Sequence, residues 1–174
     1  MNSSISRFIK RWRTPETVVQ EPTEYAPAPG TEIRYSPELI NEFKQEHKRF
    51  FALHNAVLSA RDRGDVAAIP PLLSEFEAAL TGHFLTERIR LYAYLDAYFS
   101  VDRETHEMLR EYRTEMDRIG ASVMQLIRKY RNIDTDPRLR EDFGDDFEEL
   151  GKVLAERMLR EEITLYPLYL PVSK

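Results

Sequence analysis

Residues 83–95, HFLTERIRLYAYL, and residues 157–169, RMLREEITLYPLY, are the two stretches that decide the fold of this chain. Apolar residues in both stretches recur at intervals of three and four, the spacing of one face of an α-helix. A half-buried strand would instead show an interval of two. The two stretches therefore indicate two similar amphipathic helices in one chain.

An internal repeat relates these two helices. At an offset of 74 positions His83 aligns with Arg157 and Glu87 with Glu161, and a Leu-Tyr pair follows each glutamate at the same distance. Apolar matches at helical spacing arise easily by chance, but this polar pattern with the same Leu-Tyr pair does not. We therefore expect the same pair of helices to occur twice.

The helices that precede them repeat in the same way. At an offset of 69 positions Glu46 and His47 align with Glu115 and Met116. Long amphipathic helices with short connections form an up-down-up-down four-helix bundle, so the predicted fold class is all-α. The predicted helices span about residues 37–63, 70–99, 102–132 and 145–165.

The chain is predicted to consist of an N-terminal extension, residues 1–35, and a bundle, residues 36–174. Prolines between residues 14 and 35 indicate a linker that is extended or disordered. The basic segment 1–13 is either a solvated tail or a short helix that docks on a membrane surface or a partner. The large apolar residues at helical spacing in that segment include Phe8, Ile9 and Trp12.

The composition excludes several classes of site. The chain has no cysteine, which rules out disulfides, thiolate metal sites and cysteine nucleophiles. Its net charge of −5 argues against nucleic acid as a partner, because phosphate binding needs a basic surface. No apolar run approaches the ~20 residues of a membrane span, and the N-terminus lacks the apolar core of a secretory signal. We therefore expect a cytoplasmic protein.

Two histidines and two glutamates are predicted on the inner faces of the bundle. His47 and His83 lie within apolar stripes, Glu87 follows His83 by one helical turn, and Glu161 occupies the aligned position in the fourth helix. Two imidazoles and two carboxylates that face the interior of a bundle can bind a first-row transition metal. Because a buried carboxylate is costly unless it is paired, these glutamates need a compensating charge.

That pattern resembles the hemerythrin-like, or HHE, family over about residues 38–168. Members carry a histidine on the first helix and His-xxx-Glu on the second, and they repeat this set on the third and fourth helices. The resemblance implies a non-haem di-iron centre. His47, His83 and Glu87 match the ligands of the first half, and Glu161 is the ligand that remains in the second half.

The second half departs from the family pattern at two positions, where Met116 and Arg157 replace histidines. Arginine stays charged and pairs with carboxylates, so Arg157 is predicted to replace the second metal ion as a cation. The sequence leaves open whether one ion, iron by resemblance, remains or whether the protein is metal-free. His54, two turns after His47, and Met116 are candidates for further ligands or for groups that contact a ligand.

A second resemblance concerns the fourth helix. Its string LGKVLAERMLREEITL is similar to the matching helix of the Rsd/AlgQ regulators, four-helix proteins that bind the housekeeping sigma factor of RNA polymerase. Both carry an arginine four residues before an acidic pair, here Arg157 before Glu161 and Glu162. The resemblance implies a protein partner.

The chain contains no recognisable nucleophile–base arrangement and no glycine-rich phosphate loop, so we do not expect an enzyme. The leading hypothesis is a non-catalytic regulatory or binding protein on a degenerate hemerythrin-like bundle, with a sigma factor or another protein as its partner. The alternative is a non-haem iron protein that senses or stores metal or oxygen.

Overall fold

The computed structural model describes residues 25–172, and four helical rods account for most of them. The α-helices are α1 Leu39–Asp62, α2 Ile69–Thr86, α3 Ala93–Tyr98, α4 Arg103–Tyr130 and α5 Arg140–Arg160. The π-helical segments are Glu87–Tyr92 and Glu161–Leu165. The first π segment joins α2 to α3 in one continuous rod, and the second extends α5. The predicted all-α four-helix bundle is confirmed.

The arrangement of the rods places the two repeated helices on opposite corners of the bundle. The rods that contain α2 and α5 each pack against α1 and α4. The turn between α1 and α2 is closed at Gly64, whose φ of 71° lies in the left-handed region that glycine adopts most readily. Short connections of this kind make successive rods antiparallel.

The two π segments begin at the aligned glutamates. Glu87 opens the first segment and Glu161 the second, at the offset of 74 positions that relates the two halves. A π turn inserts one extra residue into a helix, is rare, and occurs frequently at functional sites. The same irregularity at the same aligned residue supports the internal repeat.

Two apolar clusters fill the two ends of the bundle and leave a buried polar layer between them. The cluster nearer the α1–α2 turn includes Val57, Leu73, Phe76, Leu80, Ile127, Phe143 and Phe147. The cluster at the other end includes Leu39, Phe43, Leu91, Tyr94, Leu95, Leu109 and Leu165. Burial of each large side chain stabilises the fold by about 1.5–3 kcal/mol. These clusters can therefore offset the cost of the polar layer.

The described end of the predicted linker packs against the C-terminal turn of the bundle. Ala28 is fully buried, the ring of Tyr35 stacks on Tyr169 at a centroid distance of 4.7 Å, and the backbone N–H of Ser36 donates to the Tyr169 hydroxyl. The domain boundary at residue 36 stays a prediction. The docking residues proposed for the basic segment lie outside the described residues; they are Phe8, Ile9 and Trp12.

The fourth helix begins earlier in the chain than predicted, at Arg140. Asp136 accepts a backbone hydrogen bond in a short 3₁₀ turn that leads directly into the helix. Gly144, which was assigned to the connection, lies inside the helix, where the Arg61 side chain crosses over it: a Cβ there would lie 2.1 Å from Nη1 of Arg61. Within residues 25–172, no helix is both long enough and apolar enough to cross a membrane.

Candidate metal centre

The two predicted histidine ligands lie side by side at the middle of the bundle. His47 from α1 and His83 from α2 are each 2% exposed, and their ring centroids are 5.1 Å apart. The rings of Phe43 and Phe50 pack edge-to-face against His83 at centroid distances of 5.2 and 5.1 Å. These two residues lie one helical turn to either side of His47. This aromatic packing fixes the position of the imidazoles.

A carboxylate at the bundle surface contacts the outer nitrogen of each imidazole. Nδ1 of His83 lies 2.6 Å from Oε2 of Glu46, and Nδ1 of His47 lies 2.9 Å from Oε1 of Glu162. An ionised carboxylate only accepts hydrogen bonds, so Nδ1 carries the proton in each neutral ring and Nε2 keeps its lone pair. Carboxylates in this position orient metal-binding histidines in many proteins.

Burial keeps His83 neutral. Desolvation, and next the neighbouring His47, lower the pKa of His83 to about 4. A histidine must be deprotonated to bind a metal ion, so His83 is in the required state at neutral pH.

The two aligned glutamates have different partners. Oε1 of Glu161 accepts a hydrogen bond of 2.6 Å from Nε of Arg157, and Oε2 of Glu161 lies 3.4 Å from Nε2 of His47. Glu87 is fully buried, and neither of its oxygens has a well-formed hydrogen bond from the described residues. Burial, and next Glu161, raise the pKa of Glu87 well above its usual range, whereas Arg157 lowers it by less.

Arg157 is a buried cation, and each nitrogen of its guanidinium donates a hydrogen bond. Nε donates to Glu161, Nη1 donates to Glu115 at 3.0 Å, and Nη2 donates to the Tyr92 hydroxyl at 2.9 Å. The guanidinium also lies over the ring of Tyr112, 4.7 Å from its centroid. Burial would lower the pKa of Arg157, but the charge of Glu161 and the hydroxyl of Tyr92 raise it, and the net shift is upward. The side chain therefore remains charged.

The internal repeat extends to these contacts. Glu46 faces His83 in the first half, and the aligned Glu115 faces the aligned Arg157 in the second half. Arginine thus stands in the place of a histidine and keeps the same carboxylate partner.

A comparison with known families identifies this arrangement. The model of the hemerythrin HHE cation binding domain matches residues 38–169, which include all four rods. The chain belongs to the hemerythrin HHE family. Searches of curated proteins and of solved structures gave no significant match. The family predicted from the sequence is confirmed, whereas none of the comparisons shows a likeness to sigma-factor regulators.

This HHE domain does not bring His54 into the group of donors formed by His47, His83 and Glu161. Nε2 of His54 lies 2.8 Å from the carbonyl oxygen of Phe147, and the two rings stack at 4.8 Å, so His54 joins α1 to α5. Met116 is buried in the apolar cluster at the other end of the bundle. The same cluster contains Tyr92 and Tyr166, and the role of Met116 as a further ligand stays a prediction.

The donor set of the HHE domain fits one metal ion. His47, His83 and Glu161 each offer a ligand atom, and these atoms lie within 4.8 Å of one another. Metal–ligand bonds of about 2.0–2.2 Å need only small side-chain movements to close around an ion there. Glu87 adds a buried carboxylate that lacks a hydrogen-bond partner. The coarse prediction of a metal-binding bundle is therefore supported by the residues present.

The predicted site residues did not include a buried tyrosine that lies at this centre. The hydroxyl of Tyr166 lies 3.1 Å from Nε2 of His47. Tyr166 follows Glu161 by five residues, a position that an α-helix would turn about 140° away but that a π turn brings back toward the same side. The signal that could have found it is the aligned Leu-Tyr pair, which places Tyr92 and Tyr166 at equivalent positions.

Proposed function

We propose that this HHE domain is a non-catalytic protein that binds one transition-metal ion, iron by family, through His47, His83, Glu87 and Glu161. The observation that carries the proposal is Glu87, a fully buried carboxylate without a hydrogen-bond partner among the described residues. A buried polar group of this kind requires an explanation, and an ion is one of the standard ones. When bound, iron supplies a redox-active Lewis acid.

The buried charges favour one ion rather than two. As metal ligands Glu87 and Glu161 would both be ionised, and Arg157 compensates only one of their two negative charges, so one negative charge remains. When a single divalent ion binds and both imidazoles are neutral, the net charge of these groups changes from one negative to one positive charge. A second ion would lie beside a guanidinium whose donors are already used by Glu161, Glu115 and Tyr92.

The surroundings of the metal-donor side chains favour metal binding over catalytic turnover. A groove of about 270 Å³ opens between α2 and α4, and it is lined by Tyr92 and Met116 but by neither His47 nor His83. The histidines are shielded from solvent by the aromatic rings around them. A sheltered ion of this kind suits a protein that senses or stores metal, and this is the role that we propose.

Metal content of the full-length chain, purified without a histidine tag and loaded with ferrous iron under nitrogen, tests the proposal. We expect one iron per chain, with loss of the iron in His83→Ala and in Glu87→Gln, which removes the charge and keeps the shape. His106→Ala, a change at a half-exposed histidine outside the centre, should retain one iron. Two ions per chain, or a His83→Ala variant that keeps its iron, would contradict the proposed site.

Partner binding is not part of this proposal. An interaction with a sigma factor or another protein, and docking of residues 1–13 on a membrane surface, stay predictions from the sequence.

A further inference from the structure

We propose that Tyr166 is an additional protein ligand of the bound ion and coordinates ferric iron as a phenolate. This inference rests on the proposed metal centre and adds a fifth donor to it. Its basis is the position of the hydroxyl, which is buried at the centre and lies 3.1 Å from Nε2 of His47.

The distances around His47 are those of neighbouring ligands on one ion. Metal–ligand bonds of about 2.0–2.2 Å at right angles place two ligand atoms about 3 Å apart. Nε2 of His47 lies 3.1 Å from the Tyr166 hydroxyl and 3.4 Å from Oε2 of Glu161. An ion bound to His47 and Glu161 therefore has the Tyr166 oxygen within reach.

Ring stacking holds the hydroxyl in this position. The Tyr166 ring lies against His47 at a centroid distance of 5.8 Å and an interplanar angle of 21°. It lies against Phe43 at 5.9 Å and 29°. With both neighbours packed on the ring, the tyrosine has little freedom to swing away when an ion arrives.

In the metal-free protein the Tyr166 hydroxyl forms a hydrogen bond to the Nε2 lone pair of His47, which an arriving ion would need. Nδ1 of His47 carries its proton toward Glu162, so Tyr166 donates its hydrogen to Nε2. Coordination replaces this hydrogen bond: the phenol O–H bond breaks, an iron–oxygen bond forms, and the proton leaves to solvent. Ferric iron with a phenolate has the same net charge as ferrous iron with a phenol, so the charge balance with Arg157 is preserved.

Loading the metal-free, full-length protein with ferric nitrilotriacetate tests this inference without any redox step. The wild type should bind one iron and develop a visible phenolate-to-iron charge-transfer band. Tyr166→Phe should lose the band and hold iron at least about tenfold less tightly against free nitrilotriacetate, since even groups outside the ligand set change affinity by about 10–100-fold. Tyr169→Phe is the matched control, because it also removes one hydrogen bond from a buried tyrosine. This variant should keep both the charge-transfer band and the affinity for iron.

The outcomes separate the two proposals. A wild type that binds iron without the band, or a Tyr166→Phe variant that binds iron more tightly, would mean that the hydroxyl only competes for His47, and the inference would be wrong. A wild type that binds no iron would overturn the metal centre and this inference together. If Tyr166→Phe fails to fold, resonance Raman spectra of the iron-loaded wild type replace it. Phenolate modes would support the coordination of iron by a tyrosine, and their absence would contradict it.

Discussion

At the scale of single residues, Arg157 places a permanent positive charge where the family pattern has a histidine that binds metal. A histidine at this position would need a metal ion to balance the nearby carboxylates, and its contribution would depend on metal supply. The guanidinium supplies one positive charge permanently and satisfies Glu161, Glu115 and Tyr92 directly. The second half of the centre is therefore complete without metal.

Arg157→Ala should lower the free energy of unfolding of the metal-free protein by about 3–5 kcal/mol, because it leaves Glu161 buried without its partner. Arg160→Ala is the control, since Arg160 contacts Glu115 as well but is half-exposed, and exposed ion pairs contribute about 0–1 kcal/mol. Urea unfolding of both variants measures the difference. Equal losses for the two variants would mean that Arg157 does not compensate the buried carboxylate.

At the scale of helices, the sequence predicted the rods and three of the residues that the structure brings together. Apolar spacing placed His47 and His83 on inner faces, the internal repeat did the same for Glu161, and the structure brings the three together. It could not predict the π segments, because one extra residue leaves no mark on the apolar spacing that identifies a helix. For the same reason it left Tyr166 unassigned.

The start of the fourth helix and the surface carboxylates escaped prediction for a different reason. Gly144 indicates the end of a connection when it is read alone, and only the side chain of Arg61 from another helix explains its presence inside α5. Glu46 and Glu162 stand next to inward-facing residues, a position that helical geometry directs toward solvent. Their contacts with His83 and His47 depend on side-chain orientation, which spacing does not encode.

Close approach of α1 and α5 depends on a second glycine. A Cβ at Gly151 would lie 2.4 Å from Nε2 of His54, the atom that contacts the carbonyl oxygen of Phe147. Gly82 in α2 offers the opposite case, since it is exposed and a Cβ there would meet no atom within 4 Å.

Gly151→Ala should destabilise the protein by about 1–3 kcal/mol, because His54 must move and release its hydrogen bond to α5. Gly82→Ala should instead stabilise it by about 0.5–1 kcal/mol, the gain expected for alanine in a helix. Thermal unfolding of the two variants and of the wild type shows whether each substitution raises or lowers the stability. A stabilising Gly151→Ala would show that the helices do not need this close approach.

At the scale of the whole molecule, a polar layer between two apolar clusters makes the stability of the metal-free bundle depend on pH. His83 has a pKa of about 4 in the folded protein and 6.5 in the unfolded chain, so the unfolded chain binds more protons between these values. Its stabilising contribution is therefore complete above pH 6.5 and is lost as the pH falls toward 4. Glu87 acts in the opposite direction, since its raised pKa gives a contribution that is lost as the pH rises.

Comparison of the metal-free wild type with His83→Gln isolates the histidine. Between pH 6.5 and 4 the wild type should lose up to about 3 kcal/mol more unfolding free energy than the variant, since each pKa unit corresponds to about 1.4 kcal/mol. Chemical unfolding at a series of pH values measures this difference. His106→Gln should follow the wild type, and parallel curves for wild type and His83→Gln would contradict the assignment.

The matching π segments also bear on the order of events in the history of this protein. An irregularity that begins at Glu87 and again at Glu161 is the outcome expected if one hairpin that already carried it was copied. Two separate copies of that hairpin would pair about a twofold axis, and every central group would then occur as an identical pair. Arg157, which aligns with His83, and Met116, which aligns with His47, depart from that identity, as two hairpins within one chain are free to do.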